Sequence, residues 1–168
     1  MTDEVDYNDP DHCTVGVIGE VGHRLFLFYC RQGLNETTVK VEKQQIAVLA
    51  SYLGRIVKEL GRPGHLPDDL SFDGTEDPEW VVGTIGVSYD EELDRVVVVL
   101  EEVHDEEEEE ESGHVLRIAL TREQAAAFAI HATRVVEAGR PPCPLCGLPL
   151  DPSGHDCPRT NGHRPPVT

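Results

Sequence analysis

Residues 43–60 read KQQIAVLASYLGRIVKEL, and this stretch decides the fold. Its larger apolar residues recur at spacings of three and four, which predicts a helix with one apolar face. That face consists of Ile46, Leu49, Leu53, Ile56 and Leu60. Gly and Pro residues follow at 61–64 and end the helix. Because an apolar helix face must be covered, the rest of the chain has to supply a sheet or a second helix.

A second helix repeats the first at an offset of 79 residues, without a gap. Lys43 falls on Arg122 and Gln45 on Gln124, and the apolar faces superpose as well. Thr121 and Gln124 stand at the two positions of a capping box, which marks the start of this helix. The match indicates an internal repeat; the alternative is a chance resemblance of two amphipathic helices.

Three stretches with strand patterns precede each helix. Two of them, 24–30 and 95–100, are apolar on both faces and predict central strands covered on two sides. The sequence therefore predicts an α+β fold built from two βββα repeats, with an antiparallel sheet covered by two helices. The predicted strands are 13–19, 24–30 and 37–41 in the first repeat, and 81–89, 95–100 and 114–120 in the second.

The predicted domain organisation follows from these elements. An acidic, disordered lead spans residues 1–12, and an α+β domain spans 13–140. Within that domain we expect repeat one at 13–61, a linker at 62–80 and repeat two at 81–140. A small C-terminal module with a tail occupies 141–168.

The formal net charge of −18 limits the possible partners. A surface this negative repels phosphate backbones and anionic lipids, so nucleic-acid binding by the main body is not expected. No apolar run reaches the length of a membrane span, and the acidic start lacks the features of a secretory signal. We expect a cytoplasmic protein whose charge serves either solubility or a basic protein partner. The run 105–111, almost entirely glutamate, predicts a solvated, mobile loop.

A zinc site is the most specific chemical signal in the chain. Cys143 and Cys146 form a Cys-x-x-Cys-Gly motif, in which the short spacing lets two thiolates face one ion. Cys157 is the third expected ligand and His155 the fourth, with His163 as the alternative fourth ligand. A redox pair or free thiols would be the competing interpretation. A redox Cys-x-x-Cys usually opens a helix, which the neighbouring Pro and Gly residues prevent here.

The remaining candidates favour structural roles. His131 lies on the second helix and is interpreted as a boundary residue rather than a catalytic base. Cys30 ends a buried strand and behaves as a small hydrophobe. No set of nucleophile, base and orienting residue is legible, so the catalytic residues of any enzyme activity stay unknown.

Three stretches carry a resemblance to a known family: residues 41–45, residues 120–125 and above all the closing run from Gly139 to Pro152, with the Gly-His, Cys-Pro-Arg and Asn-Gly motifs after it. Through them the chain resembles an uncharacterised actinobacterial family, the domain of unknown function 3090. In that family the residue after Asn-Gly is usually Tyr, whereas this chain has His163. The resemblance therefore favours His155 as the fourth ligand, and it implies no established activity.

Three functions follow as hypotheses. The first is a non-catalytic adaptor that binds a protein partner and carries a structural zinc site. The second is an enzyme of unknown class with a cleft between the two repeats. The third is weak, salt-sensitive nucleic-acid contact through the C-terminal module, where Arg140, Arg159, His163 and Arg164 cluster.

The zinc hypothesis predicts about one zinc per purified chain, released by acid or chelator because only deprotonated thiolates bind. Ligation supplies on the order of 10 kcal/mol in such sites. Cys146→Ser should therefore disorder the segment after Pro142 while circular dichroism shows both helices intact. His155→Ala should lower the zinc content measured by elemental analysis, and His163→Ala should not. Absence of zinc from protein purified under reducing conditions without chelator would contradict the hypothesis.

Overall fold

A computed structural model describes residues 3–19, 24–61, 64–104 and 113–138. These residues form seven strands and two helices. The strands are β1 (Asp3–Tyr7), β2 (His12–Ile18), β3 (Leu25–Gln32), β4 (Asn35–Val41), β5 (Val82–Asp90), β6 (Arg95–Glu102) and β7 (His114–Leu120). The helices are α1 (Lys43–Leu60) and α2 (Arg122–Glu137). The predicted α+β class is confirmed.

The strands form two sheets, so the prediction of one antiparallel sheet is wrong. One sheet has the order β2-β3-β4 and the other the order β1-β7-β6-β5. All pairs are antiparallel except β1 with β7, which run parallel. A single bridge between Lys40 and Val81 links the two sheets, because β4 and β5 run side by side only at that point. The strands predicted to be central, β3 and β6, do lie inside their sheets.

The acidic lead is also different from the expectation. Within 1–12, residues Asp3–Tyr7 form β1, in register with β7 from Asp3 opposite His114 to Tyr7 opposite Ile118. Tyr7 is buried, and its hydroxyl lies 2.8 Å from Thr37 Oγ1. Acidic composition concealed this strand because backbone pairing along the edge of β7, rather than an apolar pattern, holds it in place.

Each helix begins at a reciprocal cap. The Thr121 hydroxyl accepts from Gln124 N at 3.0 Å while Gln124 Oε1 accepts from Thr121 N, which confirms the predicted capping box. In α1 the backbone N–H of Glu42 donates to Gln45 Oε1 at 2.8 Å. The buried face of α1 holds Ile46, Leu49, Ala50, Leu53 and Val57, and that of α2 is mostly alanine.

The two helices pack against each other in antiparallel orientation. At the start of α2, Arg122 Nη1 donates to the last carbonyl of α1, Leu60 O, at 2.7 Å. Alanines at 125, 126, 129 and 132 of α2 are buried, so the helix axes can approach closely. Neither helix of the described residues combines the length and hydrophobicity that crossing a bilayer requires.

Each helix packs against a strand from the other half of the chain. The helix α1 follows β4 of the first sheet but packs against β5 of the second, whereas α2 packs mainly against β2 of the first sheet and less against β6 and β7 of the second. After β1, each half has three strands followed by a helix, yet neither helix covers its own strands alone. One apolar core therefore draws on both halves at once.

The expected linker crosses the first sheet as an ordered strap. Residues 70–74 of this segment lie over the face of the sheet that points away from the helices, where Thr14 Oγ1 donates to Leu70 O at 2.6 Å. The Phe72 ring packs edge-on against Tyr29 at 5.9 Å between centroids. Phe72 also lies directly over Gly16, where an added Cβ would come within 2.5 Å of the ring. The strap thereby buries Tyr29 and Leu27, which face away from the helices.

This contact predicts that Gly16→Ala destabilises the protein. The new methyl group must displace Phe72, and such overpacking typically costs about 1–3 kcal/mol. Gly86→Ala is the matched control, since Gly86 is also a strand glycine but has open space at its Cβ position. Urea denaturation should show a clear loss for the first variant and little change for the second. Equal losses of stability in the two variants would mean that the contact of Phe72 with Gly16 does not stabilise the sheet.

Candidate functional site

A groove of about 650 Å³ lies between α1 and β5. We call it the α1–β5 groove. Its walls come from both halves of the chain, because α1 belongs to the first half and β5 to the second. It is lined by Glu42, Gln44, Gln45, Val48, Leu49, Tyr52, Gly83, Ile85 and Val87.

The strand wall of the groove is the free edge of a sheet. In the order β1-β7-β6-β5, β5 is last, and beyond the Lys40–Val81 bridge no strand of the described residues pairs with its outer edge. Its side chains alternate: Ile85 and Val87 are half-buried on the groove side, while Thr84 and Ser88 are exposed on the other side. The apolar row is thus only partly covered by α1.

The helix wall carries apolar side chains that the core does not use. Val48 and Tyr52 are each 50% exposed, one turn apart on α1, above the buried Leu49. The guanidinium carbon of Arg55 lies over the Tyr52 ring at 5.5 Å from its centroid, and so stabilises the ring from one side.

Gln45 fixes the two walls to each other at one end. Its side-chain amide donates to the carbonyl oxygens of Val82 and Gly83 at 3.3 and 3.2 Å. These bonds occupy the acceptors at the start of β5, next to the cap of α1. The groove therefore opens from this closed end along β5 towards Tyr89.

The chemistry of the groove suits binding rather than reaction. Of the residues that line the groove, only Glu42 and Tyr52 can ionise. None of the lining residues is a Ser, Cys, His or Lys that could act as nucleophile or base. Apolar side chains beside unpaired strand backbone are typical of peptide recognition.

A polar cluster lies at the end of the four-stranded sheet where Val82 of β5 pairs with Glu102 of β6. Asp3, His114 and Glu102 stand in one transverse row on β1, β7 and β6. His114 Nδ1 lies 2.8 Å from Glu102 Oε2, and its Nε2 lies 3.7 Å from Asp3 Oδ2. The ring of Trp80 stacks on the imidazole, 5.9 Å between centroids and 12° from parallel.

The hydrogen bonds from His114 change the acidity of Glu102. Its carboxylate faces His114 Nδ1 and also accepts from the His114 backbone N–H at 2.9 Å. These bonds favour the charged form and hold the pKa of Glu102 below its ordinary value. The pair has the geometry of a base with an orienting carboxylate.

The cavity beside this cluster is too small for a substrate. It measures about 80 Å³, whereas small-molecule sites occupy roughly 300–1,000 Å³. The one hydroxyl on its wall, that of Thr37, is already hydrogen-bonded to Tyr7 and buried. The histidine therefore has an orienting partner, but the described residues that line this cavity place no free hydroxyl or thiol beside it.

The residues predicted for zinc, Cys143, Cys146, His155, Cys157 and the alternative His163, all lie outside the described residues. So do the acidic run 105–111 and the arginines of the C-terminal segment. Within the part that the structure describes, no group of three or more His, Cys, Asp or Glu side chains could hold a metal ion.

The other two candidates have structural positions. His131 Nε2 lies 2.9 Å from Val15 O, so this side chain joins α2 to the edge strand β2. Cys30 is fully buried, as predicted, and stands opposite Cys13 in the β2–β3 register. Burial raises the pKa of the Cys13 thiol well above its ordinary value, which keeps it protonated.

Sequence reasoning missed both the groove and the His114 row. For the groove there was a signal: Val48 and Tyr52 fall outside the apolar face of the first helix, where a soluble helix ordinarily carries polar residues. For the row there was none, because Asp3, Glu102 and His114 are far apart in sequence and meet only through strand pairing.

A family model described as "Protein of unknown function (DUF3090)" matches residues 5–157 of the chain. The match spans both sheets, both helices and the Cys-x-x-Cys motif up to Cys157. No curated protein and no solved structure matches the chain.

The lowered pKa of Glu102 predicts a pH-dependent contribution to stability. A carboxylate whose pKa is lower in the folded than in the unfolded state stabilises the fold above the unfolded value, about 4.3. This stabilisation is lost as the pH falls through the folded pKa. Glu102→Gln should therefore lower the free energy of unfolding by about 1 kcal/mol at pH 7, and by less at lower pH.

Urea denaturation at several pH values measures this difference. Glu91→Gln is the control, because Glu91 is an exposed carboxylate in the β5–β6 turn. It should change stability little at any pH. If the free energies of unfolding of wild type and Glu102→Gln differ by the same amount at every pH, the charge of Glu102 does not contribute to stability.

Proposed function

Since the chain belongs to the DUF3090 family, whose function is unknown, the site itself has to indicate the activity, and we propose a non-catalytic adaptor that binds a protein partner in the α1–β5 groove. The observation that carries the proposal is the pair of half-exposed side chains, Val48 and Tyr52, beside an unpaired strand edge. Soluble domains seldom leave contiguous apolar surface uncovered unless a partner covers it.

The groove supports an adaptor better than an enzyme. Its lining offers hydrogen-bonding backbone and apolar contact area, which give affinity and specificity to peptide binding. An enzyme of unknown class remains the second candidate. The His114–Glu102 pair supports it, but the adjoining space of about 80 Å³ does not.

The adaptor would carry a structural zinc module in residues 141–168. The proposed ligands are Cys143, Cys146, Cys157 and His155, with His163 as the alternative to His155. The module follows α2 along the chain and would present a second binding surface of its own. Weak nucleic-acid contact through its arginines is the third candidate, supported only by their positive charge.

Two further proposals complete this interpretation. We place the protein in the cytoplasm, where clustered cysteines bind metal more often than they form disulfides. We also infer that the two halves are duplicated βββα units. The order of elements is the same in both, and the reciprocal packing of α1 on β5 and α2 on β2 supports the duplication.

Affinity capture from a lysate of the native host tests the adaptor. Val48→Asp places a charge in the groove and should abolish enrichment of the partner protein identified by mass spectrometry. Ile130→Asp is the matched control: Ile130 is also a β-branched helix residue, 46% exposed, and it is outside the groove. Both variants should keep the circular dichroism spectrum of the wild type.

A partner retained by the control and lost with Val48→Asp supports the proposal. Partners that bind all three proteins equally, or no specific partner at all, would contradict a binding role for the groove.

A further inference from the structure

We propose that the occupant of the α1–β5 groove is an extended, cationic segment of the partner protein, which adds to β5 as an additional strand. This inference rests on the proposed adaptor function and goes beyond it, because it specifies the backbone conformation and the charge of the partner. Three independent features of the groove support it.

The first feature is the free backbone of β5. The strand is nine residues long and ends its sheet, so among the described residues no strand pairs with its row of outward N–H and C=O groups. The described contacts at this edge lie at its beginning: the bonds of Gln45 to Val82 and Gly83, and the bridge from Lys40 to Val81 just before β5. An added strand can therefore pair from Thr84 onwards.

The second feature is the period of the side chains. Ile85 and Val87 point towards α1 at alternate positions of β5 and are only half-buried. An added strand would place every second side chain on the same side, between these residues and the half-exposed Val48 and Tyr52. An incoming helix could fill the apolar space but would leave the strand backbone unpaired. The edge therefore favours an extended segment.

The third feature is charge. The groove lining contains one carboxylate, Glu42, and no basic residue. At the other end of β5 lie Asp90, Glu91 and Glu92, whereas the nearby arginines are engaged: Arg122 with Asp94 at 2.8 Å and Arg95 with Asp9 at 3.4 Å. Arg55 lies over the Tyr52 ring.

The whole chain reinforces this local pattern with its net charge of −18. The acidic residues 90–92 would attract a cationic partner to that end of the strand, whereas at the other end Lys43 follows Glu42. A second copy of the chain would be repelled by the same charge. We therefore commit to a basic partner segment and not to a homodimer through β5.

A synthetic peptide tests the binding mode on the full chain. The probe is a fluorescein-labelled peptide of alternating valine and lysine with the nine-residue length of β5. Fluorescence polarisation should show that N-methylation of alternate amides weakens binding about tenfold or more, since it removes the donors of one strand edge. Replacing lysine by glutamate should weaken it at least as much.

Variants of the protein separate specific docking from general attraction. Val48→Lys and Ile130→Lys add the same charge, so any difference between them reports the groove alone. We expect about a tenfold weaker affinity for Val48→Lys, because its charge repels the lysines of the peptide, and an unchanged affinity for Ile130→Lys. Equal affinities for the two variants, or equal binding of the N-methylated peptide, would overturn the proposal.

A photo-crosslinking amino acid at position 48 identifies the occupant directly. Irradiation with the peptide should yield a one-to-one adduct of chain and peptide. A crosslinked dimer, or an internal crosslink to residues 139–168 that persists at saturating peptide, would show that another segment fills the groove.

The two proposals can fail separately. If host-protein capture still depends on Val48 while the peptide results are negative, the adaptor stands and only strand addition by a basic segment is wrong. If capture does not depend on Val48 either, the adaptor function itself is wrong.

Discussion

The packing of α1 on α2 is the contact on which the rest of the structure depends. Because α2 presents alanines at this interface, α1 can approach closely and still bury Leu49, Leu53 and Val57. The exchange of helices between the halves follows: each helix needs a second neighbour, and the strand within reach belongs to the other half. Neither half has a complete core alone, and this mutual dependence predicts cooperative unfolding of the described residues.

The same exchange creates the groove. The face of α1 that leans on β5 meets an edge strand, where a sheet has no further neighbour to cover its side chains. The helix covers β5 only in part, so Ile85 and Val87 remain accessible from the side. A helix that covered its own sheet would rest on central strands and would leave no such gap. The candidate site is thus a by-product of how the two halves share their helices.

Much of the local structure could be predicted from the sequence, because short-range patterns determine it. The helix at 43–60 and its partner follow from apolar spacing and a capping box, and β3 and β6 are central because both of their faces are apolar. Pairing between distant segments could not be predicted. An apolar face shows that a helix needs cover but does not show which sheet supplies it. The acids of β1 conceal a strand that only the edge of β7 reveals.

The strap over the first sheet could not be foreseen either. It is attached through Thr14, Phe72 and the small residue Gly16, which carry no strand or helix pattern. The candidate site likewise combines one feature that the sequence could predict with one that it could not. Val48 and Tyr52 could have been recognised as apolar residues on the wrong side of a helix. The Asp3–His114–Glu102 row depends on register and has no trace in the linear sequence.

The parallel pairing of β1 with β7 has a consequence for how the chain folds. Asp3 pairs with His114, so β1 and β7 meet across most of the described chain. The strand β1 therefore stays unpaired until β7 has been synthesised, and closing so long a loop is slow. The acidic side chains of β1 protect it while it is unpaired, since a charged strand resists pairing with the sheet edge of another chain.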